Sequence, residues 1–395
     1  MKKKLAIITS HPIQYHAPLF ELLATRGEID IHVFYTWGTT VLDNKYDPGF
    51  GRVVHWDIPL LNGYPYTFLE NTAADKGTHH FNGIVNPGII AAINHYAPDA
   101  ILVFGWAFNS HLKVMRYFKN KIPVLFRGDS TLLDKTGFIK SLQRKIVLRW
   151  VYRHVDIGLY VGKSNYDYFR KFGLSNGQLI FAPHAIDNNR FKDKQAVAET
   201  AMTIRKQLGI PGEAPVFLFT GKMEPKKDPG CLLDAFSRST AADTAHVILC
   251  GSGELEAALK EKYTASTRIH FVGFQNQLQI PAYYHAADIF VLPSRGPEET
   301  WGLSVNEAMA AGKAVIVSDK CGCAANLVQQ GENGFVFKAG DTGALSTMMN
   351  DLSNNAELVK QMGNKSFEMI QSYSIDKLAA VVEHVVSGKA AFNKN

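Results

Sequence analysis

The chain has few cysteines and no long hydrophobic run, and each absence excludes a class of protein. Its 395 residues include four cysteines, whose spacing matches neither a disulfide framework nor a zinc site. No apolar run approaches the roughly 20 residues that a membrane-spanning helix needs. Three lysines open the chain as in a signal peptide, but the apolar stretch Leu5–Ile8 is far shorter than the required ~7–15 residues. The sequence therefore predicts reduced thiols and a cytoplasmic protein.

The net charge of +6 is distributed unevenly along the chain. Residues 1–190 hold 22 Lys and Arg against 14 Asp and Glu, whereas residues 191–395 hold 20 against 22. The length corresponds to two or three domains at ~150 residues each. Because all the excess positive charge lies in the first half, we expect the two halves to meet different partners.

Short apolar runs alternate with helical patterns in both halves. This alternation predicts an α/β protein of two doubly wound domains with parallel sheets. The predicted strands are Leu5–Thr9, Ile29–Phe34, Ala100–Phe104, Val124–Phe126, Ile157–Tyr160, Ile180–Ala182, Val216–Thr220, His246–Cys250, Ile269–Phe271, Ile289–Leu292, Ala314–Val317 and Phe335–Phe337.

The polar stretch 187–194 is the best boundary between the domains. A last helical pattern, which begins at Ile375, carries its apolar residues on one face, and packing on the first domain would bury them. We therefore predict domains 1–187 and 188–373, with a C-terminal helix in 374–395 that packs back on the first. Ligands of open parallel sheets bind beyond the carboxyl ends of the strands, so the cleft between the domains is the expected active site.

The most informative segment, residues 293–312, directly follows a predicted strand. It places Glu299 just before a helix and Glu307 inside it. The first backbone N–H groups of a helix lack intrahelical partners and suit a phosphate, so a phosphate site between two hydroxyl acceptors indicates a sugar nucleotide. On acid spacing alone, a surface helix with a capping acid is an equal alternative. The N–H groups concerned are those of Gly302, Leu303 and Ser304.

With this segment the chain resembles glycosyltransferase family 4, retaining enzymes of the GT-B fold, in which two Rossmann-like domains face a central cleft. The family's signature is two Glu separated by seven residues with Gly between them, which Glu299 and Glu307 fit. Similar segments occur in order over roughly 180 residues, and Lys222 replaces a family Arg. The resemblance points to the bacterial surface-polysaccharide type. The similar segments are Gly221–Lys227, Cys250–Glu254, Phe271–Phe274 and Glu332–Phe335.

The resemblance implies roles for the matching residues. Lys222 and Lys227 would hold the donor diphosphate, Glu299 would bind donor-sugar hydroxyls, and Glu307 would bind the ribose. For both lysines, a solvated surface position is the alternative. The remaining donor-binding residues would be Gly221, the 302–304 amides, and Gly273 and Phe274 beside the nucleobase.

The leaving diphosphate gains negative charge as the glycosyl bond breaks, and fixed cations and amides stabilise that charge. The chain has no Asp-x-Asp triplet, the motif with which enzymes of the other common glycosyltransferase fold bind the diphosphate through a divalent metal. The sequence therefore favours metal-independent chemistry, with no cofactor and with a UDP- or GDP-sugar as substrate. Gly251 and Gly253 lack the third glycine of a dinucleotide fingerprint, so we interpret them as a tight turn.

The first half resembles the family more loosely. Many members carry a histidine near the reaction centre where this chain has residues 102–106 without one. Asp129 stands where relatives often have a His-Asp pair and is the candidate acceptor-side catalytic group. An Asx turn or a helix cap is the alternative. After the first strand, His11, Gln14 and His16 are candidate acceptor-binding groups, and a helix-capping Ser10 or His11 is the alternative.

Residues 137–154 form an amphipathic basic helix without an acidic residue. Each basic residue near an anionic membrane contributes about 1 kcal/mol, so an anionic inner-membrane surface is a candidate partner. The alternative, a core-packed helix with a solvated face, is favoured for the apolar side. No aromatic-interleaved basic motif indicates nucleic acid. The apolar face comprises Phe138, Ile139, Leu142, Ile146 and Trp150.

Together these features predict a retaining glycosyltransferase of the hexosyltransferase type. It would move a sugar from a nucleotide-diphosphate sugar to a hydroxyl of a glycan or lipid-linked acceptor, as in polysaccharide or lipopolysaccharide biosynthesis. In front-side attack the departing diphosphate takes the acceptor's proton, so no enzymatic base is needed. The alternatives are a sugar-nucleotide 2-epimerase and a non-catalytic subunit that binds a sugar nucleotide.

Overall fold

A computed structural model describes residues 2–39, 46–47 (backbone), 49–134, 137–192, 194–297 and 299–388. The chain forms two compact units, of which unit 1 comprises residues 1–45, 59–184 and 375–395, and unit 2 comprises 46–58 and 185–374. The unit boundaries at 184/185 and 374/375 lie within a few residues of the sequence-based domain boundaries. Residues 46–58 differ, because they cluster with unit 2 although the sequence placed them in the first domain. Residues 389–395 of the predicted C-terminal segment lie outside the described residues.

Strands and helices alternate along both units. The strands are Lys4–Thr9 (β1), Asp30–Tyr35 (β2), Tyr46–Asp47 (β3), Arg52–Val53 (β4), Tyr66–Phe68 (β5), Ala100–Phe104 (β6), Val124–Arg127 (β7), Ile157–Tyr160 (β8), Leu179–Phe181 (β9), Val216–Thr220 (β10), His246–Cys250 (β11), Ile269–Gly273 (β12), Ile289–Leu292 (β13), Ala314–Ser318 (β14) and Gly334–Phe337 (β15).

The α-helices are Ala17–Arg26 (α1), Ile89–Tyr96 (α2), Asn109–Phe118 (α3), Phe138–Tyr152 (α4), Lys163–Lys171 (α5), Asn188–Phe191 (α6), Gln195–Gln207 (α7), Pro229–Arg238 (α8), Glu256–Lys262 (α9), Ile280–Ala286 (α10), Leu303–Ala310 (α11), Ala324–Leu327 (α12), Thr342–Ser353 (α13), Ala356–Ile370 (α14) and Ile375–Val386 (α15). Short 3-10 helices lie at Phe81–Gly83, Asn176–Gln178, Thr240–Asp243 and Gln371–Tyr373.

A parallel sheet runs through the described part of unit 1 in the order β5-β2-β1-β6-β7-β8-β9. Its central strands are apolar on both faces, as expected when helices cover both sides of a parallel sheet. On β1, Leu5 and Ile7 pack with α1 and α15, whereas Ala6 and Ile8 belong to the core on the other face. The apolar face of α15 is thereby buried in unit 1, and Arg26 of α1 pairs with Asp376 at 2.7 Å.

The sheet of unit 2 is also parallel, in the order β12-β11-β10-β13-β14-β15. Because β10 pairs with β11 on one side and with β13 on the other, the strand order reverses between β10 and β13. Open α/β sheets bind ligands at such a switch point, beyond the carboxyl ends of the strands. In unit 1 the corresponding position lies between β1 and β6.

Helix α4 differs from the interpretation that the sequence favoured. Its apolar side was expected to pack on the core, but the side chain of Phe138 is 84% exposed, that of Ile139 72% and that of Ile146 64%. The buried residues of α4 are instead Leu148, Val151 and Tyr152, near its C-terminus. The favoured interpretation was therefore wrong for most of the helix. Within the described residues, no helix is both long and apolar enough to cross a bilayer.

Candidate active site

The loop that follows β10 is held by close backbone contacts to the turn that follows β11. Gly251 and Gly253 have φ angles of 148° and 154°. A Cβ atom on Gly251 would lie 1.8 Å from the carbonyl oxygen of Gly221, and one on Gly253 would lie 2.6 Å from that of Met223. Both positions therefore require glycine, and the turn fixes the backbone from which Lys222 and Lys227 extend.

The carboxylate of Glu299 lies at the switch point of unit 2. Its side chain is 6% exposed and lies 2.5 Å from the ammonium group of Lys227, which follows β10. Ser294, which follows β13, donates a hydrogen bond to the same carboxylate oxygen at 2.9 Å. The structure therefore brings two of the predicted residues together. Ser294 was not predicted from the sequence, although its position just after a strand could have indicated it.

The N-terminus of α11 lies beside this pair. The helix begins at Leu303 after Gly302, whose φ is 98°. A Cβ on Gly302 would lie 2.8 Å from Leu292 and 3.8 Å from a carboxylate oxygen of Glu299, so glycine lets the helix start close to the acid. Glycine also has no side chain with which to cap the first N–H groups, including that of Ser304, and the positive end of the helix dipole favours an anion here.

Glu307 is held inside unit 2 by a buried tyrosine. Its side chain is buried and accepts a hydrogen bond from the hydroxyl group of Tyr284 at 2.7 Å. The Tyr284 oxygen also lies 2.7 Å from the hydroxyl of Thr220, at the end of β10. This contact ties the α11 acid to the carboxyl end of the central strand. Tyr284 was not predicted from the sequence, because a buried aromatic residue on a helix carries no chemical signal of its own.

Lys222 does not join the pair around Glu299. Its ammonium group lies 5.0 Å from the centroid of the Phe50 ring, a cation–π contact. A Cβ on Gly49 would lie 2.5 Å from the same lysine side chain. Lys226, between Lys222 and Lys227 in the sequence, is half-exposed and lies 3.7 Å from Glu224. The three nearby lysines thus occupy different environments.

Gly273 ends strand β12, which pairs with β11, and Phe274 follows it. Gly273 has a φ of 71°, and its carbonyl accepts a hydrogen bond from the N–H of Gly251 at 2.7 Å. The ring of Phe274 lies 5.0 Å from that of Phe50, with the two rings edge to face. The predicted nucleobase residues therefore lie beyond the carboxyl ends of the strands, as the lysine loop does.

In unit 1, the segment after β1 carries the candidate acceptor groups. The Nδ1 atom of His11 lies 2.9 Å from the Ser10 hydroxyl, and Gln14 lies in the turn just before α1. Helix α1 begins at Ala17, with His16 at its N-cap position. Neither Ser10 nor His11 caps the helix, so that alternative is wrong.

His16 lies within electrostatic range of Asp129. Its buried Nδ1 has no hydrogen-bond partner among the described residues, and its ring lies 4.6 Å from that of Phe104. Burial lowers the pKa of His16 to about 3, with the charges of His184 and Arg127 acting in the same direction and Asp129 opposing them. The imidazole is therefore neutral at pH 7.

Arg127 and His184 were not identified from the sequence. The buried Arg127 guanidinium donates to the carbonyl oxygens of Ala182 and Pro183 at 2.9 and 2.8 Å. Burial lowers the pKa of Arg127 to about 10 and, together with the charge of Arg127, lowers that of His184 to about 3. Asp129 therefore faces a fixed cation. It caps no helix, because the next one, α4, has Gly137 at its N-cap.

A separate cluster in unit 1 could hold a metal ion. Asp75, His79 and His80 offer ligand atoms that lie within 4.8 Å of one another. The Asp75 carboxylate lies 3.0 Å from His79 Nε2 and 3.2 Å from His80 Nε2. None of these residues belongs to the unit 2 site.

Comparison with known protein families gives a match within unit 2. Residues 201–369 match the model of the family described as "Glycosyl transferases group 1". One curated relative, D-inositol 3-phosphate glycosyltransferase 2 of Catenulispora acidiphila, is 28% identical over 233 residues, which cover 55% of this chain and 52% of the relative. The chain thus spans about half the length of the curated relatives it matches. The similarity to group 1 glycosyltransferases thus covers residues 201–369, which lie within unit 2.

Solved structures match nearly the whole chain. Sucrose-phosphate synthase of Thermosynechococcus elongatus has a TM-score of 0.73 and 18% identity, over 98% of this chain and 99% of that one. HepE of Anabaena, in complex with UDP, has a TM-score of 0.73 and 17% identity, over 98% and 100%. This likeness establishes the fold, which is GT-B with two Rossmann-like units, as the sequence predicted.

Proposed function

We propose that the chain is a retaining glycosyltransferase that moves a sugar from a nucleotide-diphosphate sugar to a hydroxyl group of a glycan or lipid-linked acceptor. The observation that carries this proposal is the pair of Glu299 and Lys227 at the switch point between β10 and β13. The N-terminus of α11 beside it supplies uncapped amides. A cation, a carboxylate and the first amides of a helix together suit a phosphorylated sugar.

The donor diphosphate would lie against Lys227 and the amides of 302–304. Breaking the glycosyl–phosphate bond places negative charge on this leaving group, and groups already fixed in position stabilise that charge without reorganising. Lys222 is the other lysine of the loop that is proposed to bind the diphosphate, and it could turn from Phe50 toward the phosphates. These groups would do without a divalent metal what the metal does in other glycosyltransferases.

Glu299 would orient the donor sugar through its hydroxyl groups. One of its oxygens contacts Lys227 and Ser294, so the ion pair fixes the carboxylate against the diphosphate site. Front-side attack then lets the departing phosphate oxygen take the acceptor's proton. In this mechanism Glu299 positions the sugar and Lys227 stabilises the leaving group.

The nucleotide would be uridine or guanosine diphosphate. The complex of HepE with UDP, on the same fold, makes a UDP-sugar the first donor to test. Glu307, fixed by Tyr284, would accept from the ribose hydroxyls, and Gly273 and Phe274 would border the base. The identity of the transferred sugar depends on contacts that vary among enzymes of one fold.

The acceptor would bind unit 1, at the carboxyl ends of β1, β6 and β7. His11, Gln14, His16 and Asp129 lie in segments that follow β1 and β7. The neutral His16 imidazole and the side-chain oxygens of Asp129 would together offer hydrogen-bonding groups to an acceptor hydroxyl.

An anionic bilayer surface is the proposed partner of α4. Phe138, Ile139 and Ile146 are largely exposed, and Lys140 and Lys145 on the same helix are exposed as well. Apolar side chains flanked by cations, with no acid in the helix, complement an anionic lipid surface. A lipid-linked acceptor would then reside on the same surface as the enzyme.

The proposed transfer is tested first with donor alone and then with acceptor. A panel of UDP- and GDP-sugars is screened by thermal unfolding, since a ligand at ~100 times its Kd adds about 2.7 kcal/mol of stability. The stabilising donor is then incubated with and without candidate glycan acceptors. Nucleotide release that depends on acceptor supports transfer. Epimer formation from donor alone supports the 2-epimerase, and binding without turnover across acceptors supports the non-catalytic subunit.

The membrane proposal is tested by sedimentation with vesicles. Wild type should pellet with anionic vesicles at low salt and be released at high salt, because salt screens the attraction. K140E/K145E should lose this binding, whereas the matched control K206E/K360E, which makes the same change of charge at exposed lysines of α7 and α14, should keep it. Equal binding of wild type to neutral and anionic vesicles would contradict the proposal.

A further inference from the structure

Residues 49–57, here called the strap, lie at the carboxyl ends of the unit 2 strands, where the donor is proposed to bind. The chain passes from unit 1 into the strap and returns to unit 1 after it, yet the strap clusters with unit 2. Its partners are Lys222, Ser252 and Phe274, which follow β10, β11 and β12 respectively. The strap therefore crosses the carboxyl ends of three neighbouring strands, where parallel sheets bind their ligands.

Hydrogen bonds fix the strap at both ends. Ser252 donates from its hydroxyl to the carbonyl oxygen of Phe50 at 2.7 Å. At the other end, the Asn276 amide donates to the carbonyl oxygen of His55 at 2.5 Å, and the N–H of Leu278 donates to the Asp57 carboxylate at 3.1 Å. The side chains between these anchors are thereby held over the strand ends.

Three strap side chains surround the ring of Phe274. The Arg52 guanidinium carbon lies 5.1 Å from the ring centroid, the Phe50 ring lies at 5.0 Å and the Trp56 ring at 6.3 Å. Arg52 is exposed, and Phe50, Trp56 and Phe274 are half-buried. Half-exposed aromatic rings beside an arginine are the groups on which nucleic-acid bases stack.

A recess of about 520 Å³ opens between the strap and the turn after β11. Phe50 and Arg52 line one side, and Gly253, Glu254 and Glu256 line the other. This volume lies within the ~300–1,000 Å³ of small-molecule sites. The two carboxylates can accept hydrogen bonds from base amino or ribose hydroxyl groups.

We propose that the strap forms one wall of the nucleoside subsite, with Arg52 and Trp56 contacting the base of the donor nucleotide together with Phe274. This inference rests on the proposed function, because it assumes a nucleotide-diphosphate donor. The strap would contact the nucleoside, whereas Lys227 and the α11 amides would bind the phosphates. If the strap merely covered an apolar patch, its side chains would affect stability without affecting nucleotide affinity.

The test compares nucleotide with pyrophosphate. Binding of UDP and GDP is titrated for wild type, R52A and W56A, and pyrophosphate is measured by its competition with the nucleotide. The matched control is R238A, an exposed arginine at the end of α8 in the same unit. Unfolding temperatures equal to that of wild type establish that the variants are folded.

We expect R52A and W56A each to raise the Kd of the preferred nucleotide about tenfold, as the loss of one base contact would. The pyrophosphate constant should stay at the wild-type value, and R238A should leave both constants unchanged. Unchanged nucleotide affinity in both strap variants overturns the inference, as does an equal loss of nucleotide and pyrophosphate binding. Wild type that binds neither nucleotide nor any nucleotide sugar overturns the proposed function itself.

Discussion

Replacing Lys227 by methionine tests the ion pair at the centre of the proposed site. The pair is 2.5 Å long, and its side chains are 17% and 6% exposed. Removing the ammonium group leaves the Glu299 carboxylate buried without its cation, and such a loss costs about 3–5 kcal/mol of folding stability. If Lys227 also stabilises the leaving diphosphate, kcat of the folded variant should fall by ~10²–10³-fold, the effect of removing one transition-state donor.

The two effects are separated by the double variant K227M/E299Q. It buries no unpaired charge, so its free energy of unfolding, measured by urea titration, should recover toward that of wild type. Its turnover, measured by acceptor-dependent nucleotide release, should stay low. The matched control is K226M, since Lys226 is the adjacent lysine and contacts Glu224 at 3.7 Å. Folded K227M with turnover within a few fold of wild type would refute the assignment, as would an equal loss in K226M.

Two further predictions concern Tyr284 in unit 2 and the histidines His16 and His184 in unit 1. Y284F removes the hydroxyl that donates to Glu307 at 2.7 Å. Loss of a hydrogen bond to a charged group costs about 1.5–3 kcal/mol, so the donor KM should rise at least about tenfold with kcat nearly unchanged. Y283F, on the same helix, should resemble wild type. Equal donor KM values in the two variants would contradict the proposal that Glu307 binds the ribose. His16 and His184 have folded pKa values of about 3 against ~6.5 unfolded, so protonation favours the unfolded state and the free energy of unfolding should fall as pH drops below about 6.5. Urea titrations at pH 7 and pH 5 should show a smaller difference for H16N than for wild type, and an undiminished difference would contradict burial of His16.

The strands could be predicted because apolar runs bounded by polar residues form buried parallel strands. Val216–Thr220 and Ile289–Leu292, which define the switch point, have the predicted bounds. The missed edge strand Tyr66–Phe68 has three residues and is partly exposed, so it lacks the apolar run that marks the others. Helix α4 was misjudged because a helical apolar face usually means a buried one, and the sequence does not show what covers it.

The candidate site likewise contains residues that the sequence could identify and residues that it could not. Glu299, Glu307 and the lysine loop have local patterns in which residue spacing carries the information. The hydrogen bonds of the strap join residues more than 200 positions apart, such as Ser252 and Phe50. Nothing in the sequence around Phe50 indicates this partner, and Tyr284 likewise contacts Glu307 across two elements. Such groups become recognisable only once the fold brings them together.

The donor site is tested most directly by a crystal structure of the chain with its nucleotide-diphosphate sugar. We expect phosphate oxygens to lie ~2.7–3.1 Å from the amides at the start of α11 and to contact Lys227, with a sugar hydroxyl on Glu299. A diphosphate bound away from the carboxyl ends of β10 and β13, with the Glu299–Lys227 pair untouched by the ligand, would contradict the proposed donor site.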